Sequence, residues 1–237
     1  MSTGMAGPRV WITRAQPGAA RTADRLAALG LEPVIAPLLA IRPLEQAEPD
    51  LEGVDVLAFT SINGVAAFAA LTARRDRPVL AVGDATAQAA RAAGFVDVRS
   101  AAGDLSALAD LIAVQASGLV LAPGAETPAG DIAAEVAARR PEGGVMVRTL
   151  PVYRAEPVEA TPPPRVAAVL VHSPRAGALL AARDAAMVEG AIVACISPAA
   201  AAPLVALGLS PVVAAAPHED ALIATLQAAL GKRGRRV

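Results

Sequence analysis

Small polar residues follow most of the short apolar runs in this sequence, at the positions where buried strands would end. In open parallel sheets ligands bind beyond the carboxyl ends of the strands, because the free N–H groups of helix N-termini converge there. Hydroxyls, glycines and arginines dominate at these positions, which suits an anionic ligand held by backbone amides and guanidinium groups. The residues are Thr13, Arg14, Thr60, Ser61, Asn63, Gly64, Gly83, Asp84, Thr86, Pro123, Gly124, His172, Ser173, Arg175 and Ser197.

Several kinds of enzyme chemistry lack the residues that they need. No Gly-x-Gly-x-x-Gly follows a predicted strand and no Gly-Lys-Ser or Gly-Lys-Thr occurs, which argues against nucleotide-dependent chemistry. The histidines, His172 and His218, have no partner at metal-ligand spacing. Cys195 is the only cysteine, so an internal disulfide and a four-thiolate metal site are excluded. The only lysine, Lys232, lies in the polar C-terminal stretch, away from the desolvated pocket that Schiff-base chemistry requires.

Bulk composition indicates a folded protein with an aliphatic core and argues against a nucleic-acid partner. The chain has 237 residues, of which 54% are hydrophobic, so it is not disordered. With 2% aromatic residues and a net charge of -1, it has neither base-stacking platforms nor a basic surface, and no nucleic-acid partner is expected. No signal peptide and no membrane-spanning segment is predicted, so we expect a cytoplasmic protein.

Short aliphatic runs alternate with Ala-rich helical patterns, which is typical of mostly parallel sheets with helices on both faces. The first helix is predicted from Pro17 to Leu29, with Gly30 ending it. Ser61, Ser173 and Ser197 are predicted N-caps, and Pro203 predicts a kink or a late start in its helix. The predicted strands are Val10–Thr13, Pro33–Ala36, Val56–Thr60, Val79–Val82, Leu119–Ala122, Val145–Thr149, Val166–Val171, Ile192–Ile196 and Val212–Ala215.

A long-range repeat predicts two related α/β halves with a cleft between them. Residues 56–65 are echoed by 168–177, and 79–87 by 193–201, at a spacing too long for a solenoid unit. Proline-rich stretches indicate linkers at 37–43 and 150–157. The predicted organisation is therefore a discontinuous domain of residues 8–36 plus 156–231, an inserted domain of residues 41–149, and a basic tail at 232–237.

An ordered set of motifs resembles the uroporphyrinogen-III synthase family. No single motif is specific, but together they span nearly the whole chain in the family's order. The matching pieces are Trp11-Ile12-Thr13-Arg14, Phe59-Thr60-Ser61-Ile62-Asn63-Gly64-Val65, Ala81-Val82-Gly83-Asp84-Ala85-Thr86-Ala87, Pro151-Val152-Tyr153-Arg154, His172-Ser173-Pro174 and the Ala-rich block before Gly208.

The resemblance implies two flavodoxin- or Rossmann-like parallel-sheet domains joined by a two-stranded linker, with the substrate in the cleft and no cofactor or metal. The implied substrate is hydroxymethylbilane, a linear tetrapyrrole with eight carboxylates. Loss of the ring A hydroxyl gives an azafulvene, ring D attacks through a spiro-pyrrolenine, and closure leaves ring D inverted. Because the bilane also closes without an enzyme to the symmetric isomer, the protein must favour one attack geometry and exclude water.

The resemblance also assigns residue roles, each beside a structural alternative. Tyr153, the only tyrosine, would donate a hydrogen bond to the leaving hydroxyl, or else pack over the linker. Thr86 would bind a substrate carboxylate, or cap its helix. Where many family members have threonines, this chain has Ala199 and Ala200, which leaves Ser197 and the backbone to bind there. The expected substrate-binding set is Thr13, Arg14, Ser61, Asn63, Gly83, Thr86, Arg154, Ser173, Arg175 and Ser197.

A second class of function stays open at this point. An intracellular two-domain binding protein or sensor for an anionic metabolite would share the same domain organisation, although no nucleic-acid or partner-binding element is visible. For the synthase, the expected partners are the small-molecule substrate alone and, transiently, the enzyme that supplies the bilane. The expected state is a monomer away from membranes.

Overall fold

Strands and helices alternate along nearly the whole chain. The computed structural model describes residues 7–159 and 161–234. The strands are β1 (Arg9–Ile12), β2 (Glu32–Ile35), β3 (Leu39–Pro43), β4 (Val54–Phe59), β5 (Val79–Ala81), β6 (Val98–Ser100), β7 (Gly118–Ala125), β8 (Val145–Pro157), β9 (Ala168–Val171), β10 (Ile192–Cys195) and β11 (Val212–Val213). The α-helices are α1 (Gly18–Ala28), α2 (Ile62–Leu71), α3 (Asp84–Ala92), α4 (Leu105–Gln115), α5 (Ile132–Arg139), α6 (Pro174–Arg183), α7 (Pro198–Val205) and α8 (Glu219–Gly234), and a 3₁₀ turn covers Ala185–Val188.

The chain forms two compact units, each with its own parallel sheet. Unit 1 contains the residues up to Ala40 and those from Glu156 onward, and unit 2 contains Ile41–Ala155. The sheet of unit 1 has the order β11-β10-β9-β1-β2, and all neighbouring strands are parallel. Numbered within the unit this is 2-1-3-4-5, the flavodoxin-like order, whose switch point lies between its first and third strands. In unit 1 these strands are β1 and β9.

Unit 2 has the other doubly wound order. Its sheet runs β3-β8-β7-β4-β5-β6. From β8 to β6 every neighbouring pair is parallel. Setting aside β3 and numbering within the unit gives 3-2-1-4-5, the Rossmann order, with its switch point between β4 and β7. The predicted flavodoxin- and Rossmann-like α/β class is therefore confirmed.

Aliphatic side chains fill both cores, as the composition predicts. All four residues of β9 and all three of β5 are buried, because helices cover both faces of each sheet. In unit 1 the fully buried Ile12, Leu26 and Leu170 pack together with helix α8. Each such side chain stabilises the fold by roughly 1.5–3 kcal/mol. In unit 2 the rings of Phe59 and Phe68 meet edge to face, 5.8 Å between centroids.

Most predicted helix boundaries agree with the structure. Helix α1 begins one residue later and ends one residue earlier than predicted, and Gly30 follows it with a φ of +74° that L side chains rarely adopt. Each predicted serine N-cap accepts a hydrogen bond from the backbone N–H three residues later. Helix α7 starts at Pro198 and continues past Pro203, so the expected late start is wrong.

The segments predicted as linkers are largely β-strand. Strand β3 occupies most of residues 37–43, and residues 150–157 form the second half of the long strand β8. The Leu44 amide donates to the Val152 carbonyl at 3.0 Å, extending the contact between these neighbouring strands. The prolines that suggested loops are tolerated because an edge strand and a bulge need fewer backbone donors. Of the predicted basic tail, Lys232 and Arg233 lie in the last turn of α8, and residues 235–237 lie outside the described residues.

Candidate functional site

A cavity opens in unit 2 beside the carboxyl ends of β4 and β7, at the switch point of its sheet. Its volume is about 410 Å³, within the range of small-molecule sites. Much of the wall is apolar, formed by side chains that include Val82, Leu105, Ile132 and Leu150. The polar side chains in the lining are Thr60, Ser61, Glu126, Asp131, Thr149 and Tyr153. A largely apolar wall with a few hydroxyl and carboxyl groups suits a small molecule that is held by apolar contact and oriented by a few hydrogen bonds.

Tyr153 and Ser61 form a hydrogen-bonded pair in the lining of this cavity. The phenol oxygen of Tyr153 lies 3.0 Å from Ser61 Oγ, and the tyrosine is 8% exposed. Ser61 is the N-cap of α2, and its Oγ accepts a hydrogen bond from the Gly64 amide at 3.0 Å. The phenol is therefore fixed against the first turn of α2.

A β-bulge brings Tyr153 to this position. Gly124 of β7 pairs with Pro151, but the next residue, Ala125, pairs with Tyr153, so β8 has one additional residue, Val152. Such a bulge re-aims the side chains that follow it, and proline fits there because it has no amide to donate. Val152 is fully buried, while Tyr153 lines the cavity.

Gly64 lets α2 approach β7 closely enough to hold this pair. A Cβ atom on Gly64 would lie 2.8 Å from the carbonyl oxygen of Pro123, closer than real Cβ atoms come. Any side chain at this position would push the first turn of α2, including Ser61, away from β7. The glycine is thus required by the close approach and not by its backbone angles.

Thr60, Pro123 and Gly124, which were also predicted from the strand ends, line the cavity, whereas the other predicted substrate-binding residues of unit 2 lie outside its lining. Asn63 is half-buried in the first turn of α2. Gly83 is the N-cap of α3, and the buried Thr86 donates its amide to the Gly83 carbonyl at 3.1 Å. Thr86 is therefore not the cap of its helix. Arg154 follows Tyr153 on β8 and is exposed.

The carboxylates of the cavity are a feature that the sequence did not predict. Glu126 and Asp131 both line it, whereas the predicted edge was poor in carboxylates. Asp131 caps α5, and its Oδ1 accepts hydrogen bonds from the amides of Ala133 and Ala134 at 3.0 and 3.1 Å. The positive end of α5 compensates that charge in part. The arginines that were predicted to bind substrate carboxylates are not in the lining. Among the residues that the structure describes, the cavity therefore has no guanidinium group of its own to bind an anionic ligand.

The switch point of unit 1 is occupied by a partly buried network centred on Glu219. This carboxylate, in the first turn of α8, accepts hydrogen bonds from Arg14 Nη1 at 2.9 Å and from Thr22 Oγ1 at 2.6 Å. The Nε2 atom of His172 lies 3.1 Å from Glu219 Oε2. Arg14 follows β1 and His172 follows β9, so the network joins the two strands of the switch point to α1 and α8.

Burial and hydrogen bonding determine the protonation states in this network. Burial alone would raise the pKa of Glu219, but the hydrogen bond and the charge of His172, the hydrogen bond from Thr22 and the charge of Arg14 outweigh it and lower that pKa from 4.5 to about 2. Burial lowers the pKa of His172, so its ring is neutral at neutral pH and Nε2–H donates to the carboxylate. Within the described residues, Nδ1 of His172 is buried and has no hydrogen-bond partner. Burial also lowers the pKa of Arg14, against the charge of Glu219.

The remaining predicted residues of unit 1 have structural contacts of their own. Thr13 is fully buried and its hydroxyl donates to the Leu170 carbonyl at 2.7 Å, so its side chain is not presented to a ligand. Ser173 and Ser197 cap α6 and α7. Arg175 is exposed in the first turn of α6.

Sequence reasoning missed Glu219 and Thr22, and it placed His172 at a strand end without identifying a partner for it. Arg14 and Glu219 are 205 residues apart, and no local pattern joins them. The only signal in the sequence was the acidic pair Glu219 and Asp220 at the start of the last helix. Such a pair favours a helix N-terminus but does not indicate which residues it contacts.

Neither metal ligands nor a membrane span is apparent in the part of the chain that the structure describes. No group of three or more His, Cys, Asp or Glu side chains in residues 7–159 and 161–234 is arranged to hold a metal ion. Among the same residues, no helix is both long enough and apolar enough to cross a membrane.

Comparisons with known proteins identify the family. A search of curated proteins found no significant match. Among solved structures, uroporphyrinogen-III synthetase from Helicobacter pylori is similar with a TM-score of 0.63 and 17% sequence identity, covering 95% of this chain and 99% of that one. A mutant uroporphyrinogen III synthase from Thermus thermophilus is similar with a TM-score of 0.53 and 19% identity, covering 97% of this chain and 99% of that one. At such identities these likenesses show the fold, the same two-domain α/β architecture.

The sequence itself matches the model of one family over most of its length. That model, HEM4, describes uroporphyrinogen-III synthase HemD and matches residues 20–224. The match supports the synthase interpretation and not the alternative of a binding protein without catalysis. It covers all of unit 2 and part of each sequence segment of unit 1, whereas β1 and Arg14 lie before it. The chain belongs to the uroporphyrinogen-III synthase family.

Proposed function

We propose that this chain is a hydro-lyase that cyclises hydroxymethylbilane to uroporphyrinogen III with inversion of ring D. Family membership over residues 20–224 supports the substrate and the product. The observation that carries the proposal is that Tyr153, the only tyrosine, lines a largely apolar cavity at a switch point, with its hydroxyl 3.0 Å from Ser61 Oγ of the same lining.

The proposed role of Tyr153 is to donate its proton to the hydroxyl that leaves ring A. Departure of water gives the azafulvene, which ring D then attacks through its substituted carbon. An apolar wall favours this step because it excludes bulk water, which would otherwise compete for the reactive intermediate. Orientation, not strong acid or base catalysis, selects the asymmetric product.

The carboxylates of the bilane are assigned to groups around the helix N-termini of both units. In unit 2 these are the first turns of α2 and α3, with Asn63, Gly83 and Thr86, and the exposed Arg154. In unit 1 they are the first turns of α6 and α7, with Ser173, Arg175 and Ser197. Backbone amides at these positions can hold carboxylates even where the serine side chains cap the helices. Arg14 would contribute only through the part of its guanidinium group that Glu219 leaves exposed.

The proposal extends to organisation and location. The domains are residues 8–36 plus 156–231 and residues 41–149, with the inter-domain linkers at 37–43 and 150–157. The protein acts as a cytoplasmic monomer without a cofactor, and contacts the enzyme that supplies the bilane only transiently. Sedimentation of the purified chain tests the monomer directly, with a single species of one chain mass expected.

The function is tested by supplying freshly made hydroxymethylbilane to the purified chain and separating the isomers. We expect uroporphyrinogen III as the main product, at a rate proportional to protein concentration. Formation of the symmetric isomer alone, at the spontaneous rate, would contradict the proposal.

A further inference from the structure

Three groups at the edge of the unit 2 cavity form one continuous hydrogen-bonded chain. The Gly64 amide donates to Ser61 Oγ at 3.0 Å, and Ser61 Oγ lies 3.0 Å from the phenol oxygen of Tyr153. The amide belongs to the first turn of α2, where the free N–H groups carry the positive end of the helix dipole. These hydrogen bonds thus connect the N-terminus of helix α2 to the phenol of Tyr153, the proposed proton donor.

The direction of the bond between the two hydroxyls decides whether Tyr153 can act. If the phenol donates to Ser61, its proton is engaged and cannot reach the substrate. If Ser61 donates to the phenol, the tyrosine proton is available. Because Ser61 Oγ already accepts from the Gly64 amide, it is polarised as a donor, and hydrogen bonds in such chains strengthen one another.

We propose that Ser61 is a positioning residue, which donates to Tyr153 and thereby directs the phenol proton to the leaving hydroxyl of the substrate. This inference rests on the proposed function and deepens it. The bond between the hydroxymethyl carbon and its oxygen breaks as the oxygen takes the phenol proton and leaves as water. The pyrrole nitrogen supplies the electron pair that forms the azafulvene, and the Ser61 hydroxyl stabilises the phenolate. The proton returns to Tyr153 when the last ring carbon to be joined loses its hydrogen.

This role differs from the two simpler ones that Ser61 could have. Ser173 has the same cap geometry as Ser61, with φ of -159° and ψ of 155° in both residues. If Ser61, like Ser173, only capped its helix, its replacement would lower the stability of the protein, and any change in turnover would be the same with and without the Tyr153 hydroxyl. A residue that binds a substrate carboxylate would mainly affect KM. A positioning residue lowers kcat, and does so only while the phenol is present.

The test is a double-mutant cycle with Ser61→Ala, Tyr153→Phe and the combined variant, measured as formation of uroporphyrinogen III. We expect Ser61→Ala to lower kcat about 10-fold with KM unchanged, and to have no further effect when Tyr153→Phe is already present. The inference would be overturned if Ser61→Ala lowered kcat by the same factor with and without Tyr153→Phe. It would also be overturned if Ser61→Ala changed only KM, or left turnover unchanged.

Two further variants separate catalysis from folding. Ser61→Gly removes the hydroxyl but costs only a few tenths of a kcal/mol at an N-cap, so it serves where the alanine variant folds poorly, and it should show the same loss of kcat. Asp104→Ala removes the cap of α4, whose carboxylate accepts from the Ala107 amide at 3.0 Å, and should lower stability with kcat unchanged. Wild-type protein that forms no uroporphyrinogen III would refute the proposed function itself, whereas an additive cycle in an active protein refutes the role of Ser61 alone.

Discussion

Replacing Glu219 by glutamine should destabilise unit 1 by about 3 kcal/mol at neutral pH. In the folded protein the pKa of this carboxyl falls from 4.5 to about 2. Each tenfold change in proton affinity corresponds to about 1.4 kcal/mol. A carboxyl whose pKa is lowered by folding stabilises the folded state at every pH above its pKa in the unfolded state. This stabilisation is lost as the pH falls from about 4.5 towards 2. Glutamine keeps the shape but leaves Arg14 partly buried without its counter-charge.

The assay is urea unfolding followed by the fluorescence of Trp11, at several pH values. Trp11 is the only tryptophan and is fully buried in β1, so its emission reports on unit 1. For the wild type we expect stability to decline already below about pH 6.5, since the neutral His172 must be protonated on unfolding, and more steeply below about 4.5. For Glu219→Gln the decline below about pH 4.5 should be flattened.

Asp220→Asn is the matched control on the same helical turn. Asp220 pairs with Arg25, but its side chain is 78% exposed, so its loss should cost less than about 1 kcal/mol. Both residues lie in the first turn of α8, so effects of the helix dipole are shared by the two variants. Equal free energies of unfolding for the two variants would refute the reasoning, because the network at the switch point would then contribute nothing.

Three further predictions follow from single contacts. Tyr153→Phe should lower the kcat for uroporphyrinogen III about 100-fold while leaving the free energy of unfolding in urea within about 1 kcal/mol of wild type. Isomer analysis measures the turnover, and a variant with the wild-type kcat would show that Tyr153 is not the proton donor. Gly177→Ala should destabilise unit 1 by roughly 2 kcal/mol, because a Cβ would lie 2.2 Å from the Ala200 carbonyl oxygen. Gly231 has open space around it, so Gly231→Ala should instead stabilise α8 by about 0.5–1 kcal/mol. Urea unfolding followed by Trp11 fluorescence measures both changes, and changes of the same sign in the free energy of unfolding would contradict the packing. Burial raises the pKa of Cys195 to about 12, so a thiol reagent at about pH 8 should label it only after unfolding, and rapid labelling of the native protein would contradict its burial.

The sequence predicted the parallel sheets and their order along the chain because local patterns specify them. Buried strands such as β9 are continuous apolar runs, and serine caps mark where the helices begin. The local patterns did not predict β3 or β6, although the resemblance implied a strand in the first linker. Strand β6 has three residues and one apolar side chain, too few for a recognisable pattern. Strand β3 contains Pro43, whose lack of an amide resembles a loop signal although an edge strand tolerates it.

The site was predictable where its residues follow strands and unpredictable where it depends on distant contacts. Ser61 and Tyr153 were both singled out, but as a carboxylate binder and a lone donor, since nothing in the sequence indicates that they meet across 92 residues. The bulge at Val152 that brings them together is a property of strand register. Glu219 was missed for the same reason: its partners Arg14, Thr22 and His172 converge only when β1, β9 and α8 are packed.

The most direct test of the account measures how the two uroporphyrinogen isomers partition as protein concentration is varied at fixed hydroxymethylbilane. Enzymatic closure competes with spontaneous closure, so the asymmetric isomer should rise from a trace to nearly all of the product as the protein increases, and Tyr153→Phe should need about 100-fold more protein for the same partition. A partition that stays at the spontaneous composition at every protein concentration would contradict the claim that this chain directs the ring closure.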